Sequence, residues 1–169
     1  MADNEIPLDK PPVVRYYGPF HLRKLIDAIR GFLLGEGFDD IQEPSYKHKV
    51  GGEGTDLEIK LKTDRKLNAY VKYEMEIEMR ISDMKDVEVA RDGEKLKMQH
   101  GRVQITVNGK TYLDFQKHFE GNNFLKSLRT FYHKMILGAK VYEYADYIET
   151  RAMRLQDLIK RTLGTETHG

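Results

Sequence analysis

At 169 residues the chain is long enough for one domain with a sizeable core and too short for two comfortable ones. Lysine and arginine total 28 against 27 acidic residues, a formal net charge of +1, which excludes wholesale attraction to nucleic acid or membrane; any such binding must come from a local patch. There is no cysteine, which rules out disulfides, thiol nucleophiles and Cys-type zinc sites and is compatible with a reducing cytoplasm, the expected location.

A hydrophobic fraction of 40% with 33% charged residues reads as soluble and globular. Nowhere do 18 consecutive apolar residues occur, so no transmembrane helix is expected. The stretch MADNEIPLDKPPVV is polar and proline-rich, with no apolar run of signal-peptide length. Many Lys and Glu without Cys hint at a heat-tolerant source.

Residues 1–19 read as a flexible tail, punctuated by Pro7, Pro11, Pro12 and Pro19 and poor in apolar anchors. Residues 20–164 read as a single α+β domain, and 165–169 as a disordered C-terminus. Leu22, Leu25, Ile26, Ile29, Phe32 and Leu33 fall at helical spacing, which predicts an amphipathic helix from about Phe20 to Leu34, stopped by Gly35 and Gly37.

A strand-rich middle follows. SYKHKV (45–50) predicts a first strand, and the run Gly51-Gly52-Glu53-Gly54 a turn. DLEIKLK (56–62) alternates, with Leu57, Ile59 and Leu61 on one face and Glu58, Lys60 and Lys62 on the other. After a polar turn near Asp64 to Asn68, YVKYEMEIEMRI (70–81) alternates again, with Val71, Tyr73, Met75, Ile77, Met79 and Ile81 on its odd face. Burial of these apolar side chains contributes about 1.5–3 kcal/mol each before chain entropy is subtracted. No helix can use that pattern. Further strands are predicted at DVEVA, EKLKM, RVQITV and TYLDF, with Asp92-Gly93 and Asn108-Gly109 as two-residue hairpin turns.

Two helices are predicted to end the chain. The first runs from Asn122 or Asn123 to about Ala139, with Phe124, Leu125, Leu128, Phe131, Tyr132, Met135 and Ile136 as its apolar stripe. The second runs from about Val141 to Leu163, with Val141, Ala145, Ile148, Ala152, Leu155 and Ile159 at a near-heptad spacing that also permits a homodimer. The expected fold class is therefore α+β: an N-terminal helix, an antiparallel meander of five or six strands, and two C-terminal helices packed on one face of the sheet.

The even face of 70–81 is the first candidate site. Glu74, Glu76 and Glu78 are expected to face water opposite Lys60 and Lys62 as ordinary cross-strand pairs, each worth about 0.2–1 kcal/mol. EIEMR, Glu76 to Arg80, nevertheless resembles the signature of the triphosphate-tunnel (CYTH) enzymes. That resemblance implies metal held by Glu74, Glu76 and Glu78, triphosphate held by Arg80, Lys60 and Lys62, catalysis carried by Glu76, Glu78 and Arg80, and an enclosing barrel. Other catalytic patterns are missing. The histidines at 21, 48, 100, 118, 133 and 168 show no paired ligand spacing, and there is no GxSxG, P-loop or GxGxxG motif. No cofactor is expected.

The second candidate is the first C-terminal helix. No acidic residue lies between Asn122 and Lys140, and at 100° per residue Lys126, Arg129, His133 and Lys140 share a narrow arc away from the Phe124–Leu128–Phe131–Met135 stripe. A solvated face, or pairing with Glu143, Asp146 and Glu149, explains it plainly; contact with an acidic protein, a lipid surface or a nucleic-acid backbone, without sequence readout, is the functional reading.

DVEVARDGEKLKMQHGRVQI (86–105), NFLKSLRTFYHKMI (123–136) and IKRTL (159–163) resemble a group of small archaeal proteins of no assigned activity, which implies a prokaryotic, intracellular protein and carries no functional residues with it. The sequence is read as a non-enzymatic binding or assembly module. A triphosphate-processing enzyme is the first alternative, and a small apolar-ligand carrier with a cavity lined by Met75, Met79, Phe131 and Met135 is the second.

Overall fold

Among the described residues six antiparallel strands form one sheet, and two helices pack on one of its faces. The structure, a computed structural model, describes residues 5–50, 54–68, 70–113, 124, 127, 128 and 140–164, the side chains of 44–47, 91 and 140–142 excepted. Its elements are β1 (Glu5–Pro7), β2 (Val13–Phe20), α1 (Leu22–Gly35), β3 (Asp39–Val50), β4 (Thr55–Lys66), β5 (Val71–Arg91), β6 (Glu94–Leu113) and α2 (Lys140–Leu163). The sheet runs β1-β6-β5-β4-β3, and β2 shares with β1 the outer edge of β6.

Helix α1 forms where the apolar spacing predicts it. His21 caps it, its Nδ1 accepting from the Lys24 backbone N–H at 3.3 Å, and Leu25, Ile29 and Leu33 are fully buried. At its end Gly37 takes φ +84°, and the Gly37 and Phe38 N–H groups donate back to the carbonyls of Leu34 and Leu33. That closure satisfies two otherwise orphaned carbonyls and turns the buried Phe38 into the core.

The alternation in β4 and β5 is realised in register. Leu57 lies opposite Ile81, Ile59 opposite Met79 and Leu61 opposite Ile77, all buried beneath the helices. From α2, Ile148, Ala152, Leu155 and Ile159 complete this core, so these positions of the near-heptad seam pack within the chain.

Three expectations are corrected. The stretch 1–19 was expected to be a tail, but its described residues, 5–19, are not one: β1 and β2 pair with β6, and Val14 and Phe20 are core residues. Pro7 and Pro19 are tolerated because both strands lie at the sheet edge, where a missing N–H breaks no ladder. The strands predicted at DVEVA, EKLKM and RVQITV, with the described part of TYLDF, are instead continuous parts of β5 and β6, 21 and 20 residues long, joined by Asp92-Gly93 with φ +52° and +82°. Asn108-Gly109 lies inside β6 and is no turn. A Cβ at 109 would come within 2.9 Å of Ile148 Cγ1, so the glycine is where α2 presses on the sheet.

Strand β5 survives as one strand because it bends at a bulge. The register slips between Ser82 and Lys85, with Asp83 at φ +54°. Glycines flank the slip on both sides: a Cβ at Gly54 would lie 2.7 Å from the Asp83 carbonyl carbon, and one at Gly101 2.9 Å from the Ser82 oxygen. The extra residue switches the positions of β5 that share a face with Arg102 and His100 from even to odd numbers. Val87 and Val89 therefore share that face with Met98 and Leu96 on a ribbon that runs on beyond β4.

Of the first C-terminal helix, only Phe124, Ser127 and Leu128 are described. All three are helical, and Phe124 and Leu128 are exposed, at 73% and 40%, where the stripe was expected to face the core. The remainder of that helix, and residues 165–169, lie outside the described residues.

Candidate functional site

Across the central strands the face of the sheet opposite the helices is charged. Across β4 and β5 it pairs Glu58 with Arg80, Lys60 with Glu78, Lys62 with Glu76 and Asp64 with Glu74. Across β5 and β6 it pairs Glu74 with Lys110, Glu76 with Asn108, Glu78 with Thr106 and Arg80 with Gln104. The glutamates thus stand interleaved with cations: Lys62 Nζ is 3.6 Å from Glu74 Oε1, and Arg80 Nη2 is 2.7 Å from Glu78 Oε1. Met75, Ile77 and Met79 point the other way, into the core.

This arrangement differs from a triphosphate tunnel in two respects. β3 pairs with β4 alone, so the sheet is open at that edge among the described residues. Glu74, Glu76 and Glu78 lie outside the layer enclosed by sheet and helices, and no group of three or more His, Asp or Glu among the described residues is placed to hold a metal ion. At this acidic end Tyr112 has its hydroxyl pKa pushed up to about 12, first by burial and then by the charges of Glu74, Glu5 and Glu76. A lysine lies over its ring: Lys72 Nζ is 5.0 Å from the centroid.

The other end of the open face is cationic. Arg15 and Tyr17 from β2, Arg102 and Gln104 from β6, and Arg80 and Ser82 from β5 line a shallow groove of about 490 Å³. Register explains the convergence: Arg15 lies opposite Gln104, which lies opposite Arg80, and one row along Tyr17 lies opposite Arg102, which lies opposite Ser82. Past Arg80 and Ser82 a further hollow of about 300 Å³ reaches over β4 to β3, where Asp56 and Glu58 line it together with His48 and Lys49 and the charge is mixed. Arg80 is the only one of the three arginines with a carboxylate within ion-pair distance among the described residues. Tyr17 is 68% exposed; the His100 ring meets it edge-on at 5.1 Å, and the Arg102 guanidinium lies 5.8 Å from its centroid.

A third polar cluster ties helices to sheet. Arg65, at the end of β4, donates to the Glu36 carbonyl at 2.9 Å and to the Tyr147 hydroxyl, while Arg151 Nε donates to Glu36 Oε2 at 2.8 Å. Tyr147 stacks on Tyr73 with centroids 4.4 Å apart. Every group here has a partner within the fold, and the cluster reads as a clip between α1, β4 and α2.

Of the residues singled out in the sequence, the structure sets Glu74, Glu76, Glu78, Arg80, Lys60 and Lys62 on one open face, with Arg80 alone in the groove. Lys126, Arg129 and His133 lie outside the described residues, as does the side chain of Lys140, whose backbone begins α2. Met75 and Met79 are buried core side chains; Phe131 and Met135 lie outside the described residues. Arg15, Tyr17 and Arg102 were missed, although Arg15-x-Tyr17 and Arg102-x-Gln104 each carry the period-2 spacing that puts both side chains on one face. No protein-family model matches the chain, and no curated protein matches it.

Proposed function

We propose that the protein is a non-enzymatic binding module that takes an anionic partner on the open face of its sheet. The observation that carries this reading is the convergence of Arg15, Arg80 and Arg102 from three strands on one shallow groove. A guanidinium offers a planar fork of donors that matches phosphate or carboxylate oxygens two at a time, and its charge persists at any physiological pH. Two of the three have no carboxylate partner among the described residues, so an incoming anion meets little internal competition. The cationic stretch Lys126, Arg129, His133 and Lys140 belongs to the same proposal, as a second surface of the same sign. A cytoplasmic setting, which the cysteine-free composition favours, is where such a partner is sought.

The triphosphate-processing alternative is not carried forward, because its carboxylates would have to line an enclosed channel and these stand among lysines on an open face. The test is binding of inorganic polyphosphate followed by fluorescence competition. With three phosphate contacts, affinity is expected to fall about tenfold or more between about 50 and about 200 mM salt. Reversal of charge at Arg15→Glu together with Arg102→Glu is expected to remove most of the binding while leaving the thermal melt unchanged, since both side chains are exposed. A wild-type protein that ignores polyanions at low salt, or binds them with no salt dependence, sinks the proposal.

A further inference from the structure

We infer that the anionic partner is a single-stranded nucleic acid, its backbone held by Arg15, Arg80 and Arg102 and one base stacked on Tyr17; this rests on the anion-binding reading above. Tyr17 is the discriminating feature. A large aromatic ring normally contributes by burial, yet this one is 68% exposed on the open face beside two arginines. It is not loose: His100 meets it edge-on at an interplanar angle of 84°, and Arg102 lies over it. A braced ring with most of its surface in water is a stacking platform, and base stacking tolerates any sequence because every base has a π-face.

The groove also has the form a strand needs. It is shallow, and its cationic part crosses β2, β6 and β5, about 10 Å at the usual strand spacing, enough for one or two nucleotides before the hollow that Asp56 and Glu58 share with Lys49. Between the cations sit Gln104 and Ser82, whose amide and hydroxyl can meet base edges. A duplex keeps its bases paired inside and presents none to Tyr17. An acidic peptide would satisfy the arginines but has no planar ring to place on the tyrosine unless it supplies an aromatic of its own.

The experiment uses the full chain and a fluorescein-labelled, unstructured RNA of about twelve nucleotides, the matching duplex, inorganic polyphosphate and poly-glutamate as probes. The single strand is expected to bind more tightly than the duplex or poly-glutamate. Tyr17→Leu should weaken the single strand about five- to a hundredfold and Tyr17→Phe about twofold at most, with polyphosphate bound equally by all three proteins. Arg15→Ala with Arg102→Ala should weaken both probes. If Tyr17→Leu moves neither, or duplex or poly-glutamate wins, the nucleic-acid inference is overturned while anion binding stands. If the wild type binds no polyanion, both fall together. The exposure of Tyr17 means its variants should fold, which the thermal melt checks directly.

Discussion

Tyr73 shows how a residue read simply as strand core acquires a titration. It is buried, stacks on Tyr147 and sits near Arg65 and Arg151. Burial, followed by the neighbouring Tyr147 and Tyr144, pushes its pKa from 10.0 up to about 12, against the pull of the two arginines. Below pH 10 the hydroxyl is neutral in both states and its stabilisation is fully present. As pH rises toward 12 only the unfolded chain ionises, so the folded state loses that contribution. Urea midpoints compared between wild type and Tyr73→Phe from pH 9 to 12 should therefore differ increasingly, with wild type falling faster. A constant difference across that window would mean the hydroxyl titrates normally. At this scale the sequence was most legible on β4 and β5, because alternate burial leaves a direct trace in residue type. It was least legible at Tyr17, whose surroundings are made by Arg102 and His100, far away along the chain.

Elements were legible in kind and less so in extent. The α1 helix and its Gly37 stop follow local rules, and local rules are visible in a sequence. Asn108-Gly109 is the instructive miss: the dipeptide favours a hairpin in isolation, but here tertiary contact claims the glycine for close approach of α2. Gly109→Val should accordingly destabilise the protein by about 1–3 kcal/mol through overpacking against Ile148. Ile148→Ala alone should cost about 2–5 kcal/mol by opening a cavity. The double variant should then be less unstable than the sum of the two, a coupling readable from denaturant midpoints at constant slope. Strict additivity would show that α2 does not rest on that position. The bulge at Asp83 was invisible for a related reason: the glycines that permit it, Gly54 and Gly101, lie on neighbouring strands.

For the whole molecule, the layer order was legible and the N-terminal strands were not. Prolines and sparse apolar residues read as a tail, yet β2 gains its stability from pairing with β6, which no window around residue 15 contains. Deletion of residues 1–20 should consequently abolish cooperative unfolding by removing Val14 and Phe20 from the core and β2 from the sheet edge. Retention of a sharp transition by that deletion would restore the tail. The cationic end of the open face shares this history: its arginines come from β2, β5 and β6, so the groove exists only once the sheet has assembled.

Strand β6 is the meeting place of β1, β2, β5 and α2. During synthesis Val13 must wait for Thr106 and Phe20 for Gln99, so β2 is made long before the strand it pairs with. Until then β5, alternately apolar along its first half, has one hydrogen-bonding edge without its neighbour. A nascent chain of this kind completes its sheet late, and until then that edge is open to pairing with a stranger.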